Sequence, residues 1–187
     1  MTSKISIIGA GMTGSTTAHW LAEREIADLV LVDIIEGMPQ GKALDIQEAL
    51  PVIGKDVIVS GGNDYSITAG SDIVVITAGI PRKPGMSRED LLTTNANIVS
   101  SAVENTLKHS PEAIYIILTN PLDTMTYLAM KVGQLPRERI VGQAGILDSA
   151  RMRAFVAMET GVSVENIHCY VLGGHGDEMV PTAVVCG

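Results

Sequence analysis

Short apolar runs alternate with longer amphipathic stretches along this chain, at the spacings expected of strands and helices. Ile5-Ser6-Ile7-Ile8 and Leu29-Val30-Leu31-Val32 are each long enough for one buried strand, and Ser15 to Arg24 between them reads as a helix. Gly41 to Leu50 reads as a second helix, stopped near Pro51. Asp56 to Ser60 is a candidate third strand, followed by the turn-rich Gly61-Gly62-Asn63-Asp64. Asp72 to Thr77 is a clear buried strand, and Ala78 to Glu89 is a loop with two prolines, two glycines and three cations. A long helix is expected from about Asp90 to His109, then a strand over Ala113 to Thr119. Asn120-Pro121-Leu122-Asp123 opens another helix, and Arg139 to Val141 is a short sixth strand. This alternation predicts an α/β fold, a doubly wound parallel sheet of six strands covered on both faces.

Near Gly142 the pattern changes, which predicts one domain over 1–143 and the beginning of a second, α+β domain over 144–187. Leu147-Asp148-Ser149-Ala150-Arg151 begins a helix running to about Thr160, and Asn166 to Leu172 reads as a strand. Gly173-Gly174-His175-Gly176-Asp177 then makes a glycine-rich turn. The last apolar run, Met179 to Val185, has no later partner and would leave an unsatisfied edge, so a fragment or a truncated chain is expected.

Composition narrows the partners. The chain has 187 residues, enough for one full domain and part of another, and 46% hydrophobic residues to fill a core. Aromatics are scarce, so aliphatics and nine methionines must do the filling. The net charge of −8 argues against nucleic acid or an anionic membrane as partner. No apolar run approaches the ~20 residues of a membrane span, and the N-terminus leads straight into the first strand. Cys169 and Cys186 fit no metal spacing and are expected to stay reduced, so a cytoplasmic protein without a bound metal is the simplest expectation.

Candidate chemistry begins at Gly9-Ala10-Gly11-Met12-Thr13-Gly14, set between the first strand and the first helix. Gly9 permits a tight turn, Gly11 lets the backbone approach a pyrophosphate, and Gly14 lets the helix pack near the sheet. The helix N-terminus offers N–H groups and a positive dipole end to phosphates. Asp33 follows the second strand, 19 residues beyond Gly14, where an acid can bind ribose hydroxyls and repel a 2′-phosphate. NAD is therefore favoured over NADP. The bland alternative is a glycine turn in a domain that binds something else, S-adenosylmethionine included.

Three further segments carry charge. Pro81-Arg82-Lys83-Pro84-Gly85-Met86-Ser87-Arg88 follows the fourth strand, where ligands of doubly wound sheets sit, and its arginines could close over an anion. A plain solvated loop is the alternative. Asp148 and Arg151 share a helix face, which alone would suit a surface ion pair. His175 lies among three glycines with Asp177 close by. A histidine can pass a proton near neutrality, and a carboxylate on its other ring nitrogen would orient it and favour the imidazolium. Taken singly, such a histidine is more often structural.

With Thr77-Ala78-Gly79 and Asn120-Pro121-Leu122-Asp123 added, these six motifs, in this order from Lys4 to about Pro181, resemble the lactate/malate dehydrogenase family. The resemblance implies a Rossmann sheet for the first domain and NAD as cofactor. Gly9, Gly11, Met12, Thr13, Gly14, Asp33, Thr77, Ala78, Gly79, Asn95 and Asn120 would contact the cofactor. His175 would be the catalytic acid/base, held by Asp148; Arg151 would clamp the substrate C1 carboxylate. Arg88, on the closing loop, would polarise the reacting carbonyl, and Asn120 would also touch the substrate. Arg82 matches the position where malate-oxidising members carry arginine and lactate-oxidising members carry glutamine. The implied reaction is reversible hydride transfer between malate and NAD in the tricarboxylic acid cycle, by a homo-tetramer or dimer acting on a small dicarboxylate. A lactate or broader 2-hydroxy-acid dehydrogenase is the alternative. Because members of the family are longer, a non-catalytic NAD-binding fragment is the other.

Overall fold

A computed structural model of the chain describes residues 3–81 and 84–185, so Arg82, Lys83 and Cys186 lie outside the described residues. The chain divides into two compact units, Met1–Val141 and Gly142–Gly187.

The first unit is a six-stranded sheet with helices between its strands. The strands are β1 (Lys4–Ile8), β2 (Asp28–Val32), β3 (Val59–Gly62), β4 (Ile73–Ile76), β5 (Ile114–Ile117) and β6 (Ile140–Gly142). The intervening helices are α1 (Met12–Glu23), α2 (Met38–Ala49), α3 (Arg88–Leu107) and α4 (Leu122–Val132). Spatial order is β3-β2-β1-β4-β5-β6, and β1 pairs parallel with both β2 and β4. The chain thus winds outward from β1 in one direction, then returns to β4 and winds the other way. Such a reversal opens a crevice at the carboxyl ends of β1 and β4, where doubly wound sheets bind ligands.

Burial explains why β4 and, from Leu29, β2 are continuous apolar runs. Ile5, Ile7, Leu29 and Leu31 pack with Ala18 and Ala22 of α1 and Ala43 and Ile46 of α2. Residues of the other parity, Val30, Val74 and Ile76, are equally buried, as are Val99 and Val103 of α3 and Met125 of α4. Both faces of the sheet are therefore covered, as a parallel sheet requires.

Three sequence expectations are corrected here. Gly61 and Gly62, expected in a turn, are the last residues of β3. A Cβ on Gly61 would lie 2.0 Å from the Pro39 carbonyl oxygen, so a glycine admits α2 against this strand rather than ending it. Arg88, expected on the loop, is the first residue of α3: Ser87 caps that helix by accepting from the Asp90 N–H, and Asp90 reciprocates. The Ser87 hydroxyl and backbone N–H both donate to the Asp90 carboxyl and hold it below its ordinary pKa. The third correction is the final apolar run.

The second unit comprises α5 (Gly145–Thr160), β7 (Ile167–Leu172) and β8 (Val180–Val185). β8, the run expected to have no later partner, pairs antiparallel with the earlier β7 from Ile167↔Val185 to Leu172↔Val180. A hairpin partner lies upstream, across the glycine turn, where strict βα alternation gives no reason to look. Among the described residues no helix is long and apolar enough to cross a membrane.

Candidate active site

The glycine turn is built by close approach. Gly9 has φ +105° and donates its N–H to Val32 O at 2.7 Å, which ties the turn to the end of β2. A Cβ on Gly14 would lie 1.8 Å from Gly9 O, so α1 can start against the turn only with glycine there. Thr77 Oγ donates to Gly9 O at 3.0 Å and fastens the turn to the end of β4. The first intrahelical bond of α1 is made by Ser15 N–H to Gly11 O, so the N–H groups of Met12, Thr13 and Gly14 precede it. No acidic residue occupies this first turn.

These groups face a cleft of about 920 Å³ lined by Gly9, Gly11, Met12, Thr13, Asp33, Thr77, Ala78 and Gly79 among others. A Cβ added to Gly11 would meet nothing within 4 Å, so bare backbone faces open space. Exposed N–H groups at a helix start, a glycine that admits close approach and an acid at the far rim fit a dinucleotide's pyrophosphate and ribose.

Asp33 is held rather than mobile. Its Oδ2 accepts from Ala10 N–H at 2.8 Å, inside the glycine turn, and its Oδ1 accepts from Ile35 N–H at 3.0 Å. Tyr65 lines the same cleft; burial raises its hydroxyl pKa, and the Asp33 carboxylate raises it further. Sequence reasoning passes over Tyr65, and only its position directly after Asn63-Asp64 on the β3 side of the sheet could have drawn notice.

A second recess of about 370 Å³ adjoins the first, sharing Thr13, Thr77 and Gly79 with it and adding Asn95, Thr119 and Asn120. Asn95 is buried on α3 and its amide is fully engaged by backbone: it accepts from Ile80 N–H at 2.9 Å and donates to Asn120 O at 2.7 Å. Thr119 Oγ donates to Ala78 O at 2.7 Å. Asn95 thus ties the segments after β4 and β5 together, which sets the shape of the recess from beneath.

In the second unit, Asp148 is the hub. It sits one turn into α5, its side chain only 9% exposed, and its Oδ2 lies 2.8 Å from His175 Nδ1. Its Oδ1 receives Arg151 Nη1 at 3.4 Å. The His175 side chain is 23% exposed and that of Arg151 58%. Ser149, next to Asp148, accepts from Val171 N–H at 2.9 Å and so fixes α5 against β7, the strand that leads into the His175 turn. A buried carboxylate on Nδ1 orients the ring and favours a proton on that nitrogen. The i,i+3 pair is therefore part of a three-residue cluster rather than an isolated surface bridge. Arg88 is exposed at the start of α3, and Arg82 lies outside the described residues.

Two family models match in succession: "lactate/malate dehydrogenase, NAD binding domain" over residues 3–142, and "lactate/malate dehydrogenase, alpha/beta C-terminal domain" over residues 146–185. The chain belongs to the lactate/malate dehydrogenase family. It is 62% identical over 181 residues to a malate dehydrogenase of Roseiflexus sp. (strain RS-1), and 60% identical to one of Thermomicrobium roseum. Those alignments take in 97% of this chain and 59% of each relative, so the chain spans about three fifths of their length. Among solved structures, the malate dehydrogenase of Picrophilus torridus in its apo form is 46% identical with a TM-score of 0.95, over 99% of this chain and 60% of that one. The lactate dehydrogenase of Cryptosporidium parvum, complexed with lactic acid and NAD, is 44% identical with a TM-score of 0.92, over 99% of this chain and 59% of that one.

Proposed function

We propose that this chain serves the NAD-dependent, reversible oxidation of malate to oxaloacetate. In this reading residues 1–143 hold the cofactor and residues 144–187 carry the substrate-facing acid/base. NAD, which the glycine turn and Asp33 would hold, would supply the hydride acceptor for malate C2. His175 Nε2 takes the proton of the C2 hydroxyl, and Asp148 stabilises the resulting imidazolium through Nδ1. Arg151, exposed and meeting Asp148 at 3.4 Å, keeps guanidinium donors for the C1 carboxylate. Arg88 polarises the C2 oxygen, Asn120 contacts it, and Arg82 pairs with the second carboxylate. Asp33 and the glycine turn hold the adenosine ribose and the pyrophosphate; Thr77, Ala78, Gly79 and Asn95 shape the nicotinamide end.

The observation that carries this reading is Asp148 shared between His175 and Arg151, a proton carrier and a carboxylate clamp on one buried acid. The named relatives support malate as the substrate, while the likeness to a lactate dehydrogenase keeps pyruvate as the second substrate to assay. Large apolar side chains exposed on α2 and just after it, Leu44, Val52 and Ile53, support a homo-oligomer, tetramer or dimer. Buried Cys169 is a free thiol, which suits the reducing cytoplasm, where the reaction would serve the tricarboxylic acid cycle.

His175→Asn tests the assignment. Oxaloacetate-dependent NADH oxidation should fall by about 10²-fold or more, the usual worth of a positioned acid/base, with NADH still bound. Turnover that survives the substitution would overturn it.

A further inference from the structure

Asp33 leaves β2 into a loop with little apolar packing, since Ile34 is 90% exposed and Ile35 56%. Polar contacts hold this loop instead. Asn63, the first residue beyond β3, donates from Nδ2 to Asp33 O at 2.7 Å and to Ile35 O at 2.9 Å. Its Oδ1 accepts from Gln40 Nε2 of α2 at 2.6 Å. The orientation of the amide is dictated, because backbone carbonyls only accept and the nitrogen must face them. Held this way, the loop presents Ile35 N–H to Asp33 Oδ1 while Ala10 N–H takes Oδ2. An acid discriminates against a 2′-phosphate only when its carboxylate is kept where that phosphate would lie. A surface carboxylate with a free loop behind it would rotate away at little cost.

We propose that Asn63, buttressed by Gln40, is a positioning residue for cofactor selectivity, acting through Asp33 to favour NAD over NADP. This role presupposes the dinucleotide reading of the cleft and deepens it. A clamp that merely stabilised the fold would weaken both dinucleotides alike. A clamp that aims Asp33 changes their ratio.

The test is direct titration of the 187-residue chain with NADH and with NADPH, in four forms: wild type, Asn63→Ala, Asp33→Ala and the double variant. Asn63→Ala should lower the ratio of the NADPH to the NADH dissociation constant by about fivefold or more, through weaker NADH binding, in line with two lost hydrogen bonds. In the Asp33→Ala background the same substitution should leave the ratio within about twofold, the sign of residues acting as one unit. Gln40→Ala, which leaves the Asn63 amide in place but unbuttressed, should move the ratio in the same direction by less. Equal weakening of both dinucleotides, or an equal drop in ratio with and without Asp33, would overturn the role of Asn63 while leaving NAD binding intact. A wild-type chain that binds neither dinucleotide would instead overturn the cofactor reading, and this role with it.

Discussion

Replacing Asp148 by Asn removes one charge and almost no volume, so its effect can be worked from the cluster's geometry. Two partners lose the carboxylate. Arg151 meets it at 3.4 Å with a side chain 58% exposed, and solvent-facing pairs of that kind contribute about 0–1 kcal/mol. His175 meets it at 2.8 Å with both groups mostly buried, and a charge-assisted hydrogen bond there contributes about 1.5–3 kcal/mol. The histidine contact therefore dominates. At 1.4 kcal/mol per tenfold change, its loss alone should lower kcat/KM for oxaloacetate by about 10- to 100-fold. An asparagine can also donate to Nδ1, placing the ring proton on Nε2 and leaving no site there for the hydroxyl proton of malate; this adds to the loss in the oxidation direction. NADH binding should stay within about twofold, because the cleft that carries the glycine turn is lined by residues of the first unit. Steady-state rates in both directions, with NADH affinity measured separately by fluorescence, check each part. A kcat/KM within about threefold of wild type would refute the role of Asp148, as would a loss explained wholly by weaker NADH binding.

Further outcomes follow from single contacts. Arg82→Gln should cost oxaloacetate turnover far more than pyruvate turnover, since a buried carboxylate left unpaired costs several kcal/mol; equal losses on both would remove the basis for malate specificity. Gly14→Ala forces a Cβ to 1.8 Å from Gly9 O, so α1 must shift off the turn; NADH binding should be lost and stability lowered by about 1–3 kcal/mol, read by titration and denaturant unfolding. Tyr115 is fully buried, and burial raises its pKa above the ordinary tyrosine value, with the Thr106 hydrogen bond opposing in part. Its folded form stays neutral while the unfolded chain ionises, so this contribution is present below about pH 10 and is lost as pH rises through the folded pKa. Tyr115→Phe should therefore flatten the alkaline limb of the stability profile, at a cost of about 1 kcal/mol at neutral pH for the lost Thr106 contact. An alkaline limb as steep as that of wild type would contradict it.

Much of the first unit is legible because its strands are buried on both faces, and the unbroken apolar runs of β2, from Leu29, and of β4 suit little but a central parallel strand. The glycine turn is legible for a related reason: Gly9 and Gly14 answer backbone contacts that no side chain would allow. What stays hidden depends on pairing across distance. Gly61 signals a turn by composition, but in the fold it marks where α2 presses on β3. The partner of Met179 to Val185 lies earlier in the chain, and a strand's sequence does not say which edge it will meet. Asn63 and Gln40 are ordinary polar residues whose contact with the Asp33 loop appears only after folding. The association of Asp148 with His175, 27 residues apart, is legible only through family resemblance, since spacing offers Asp177 as the nearer carboxylate.

The most direct test is NADH oxidation by this chain with oxaloacetate and pyruvate compared side by side. Turnover of oxaloacetate that exceeds pyruvate by about 10²-fold or more in kcat/KM is expected if His175, Asp148 and the arginines act as proposed. Faster turnover of pyruvate, or NADH bound with neither substrate reduced, would contradict it.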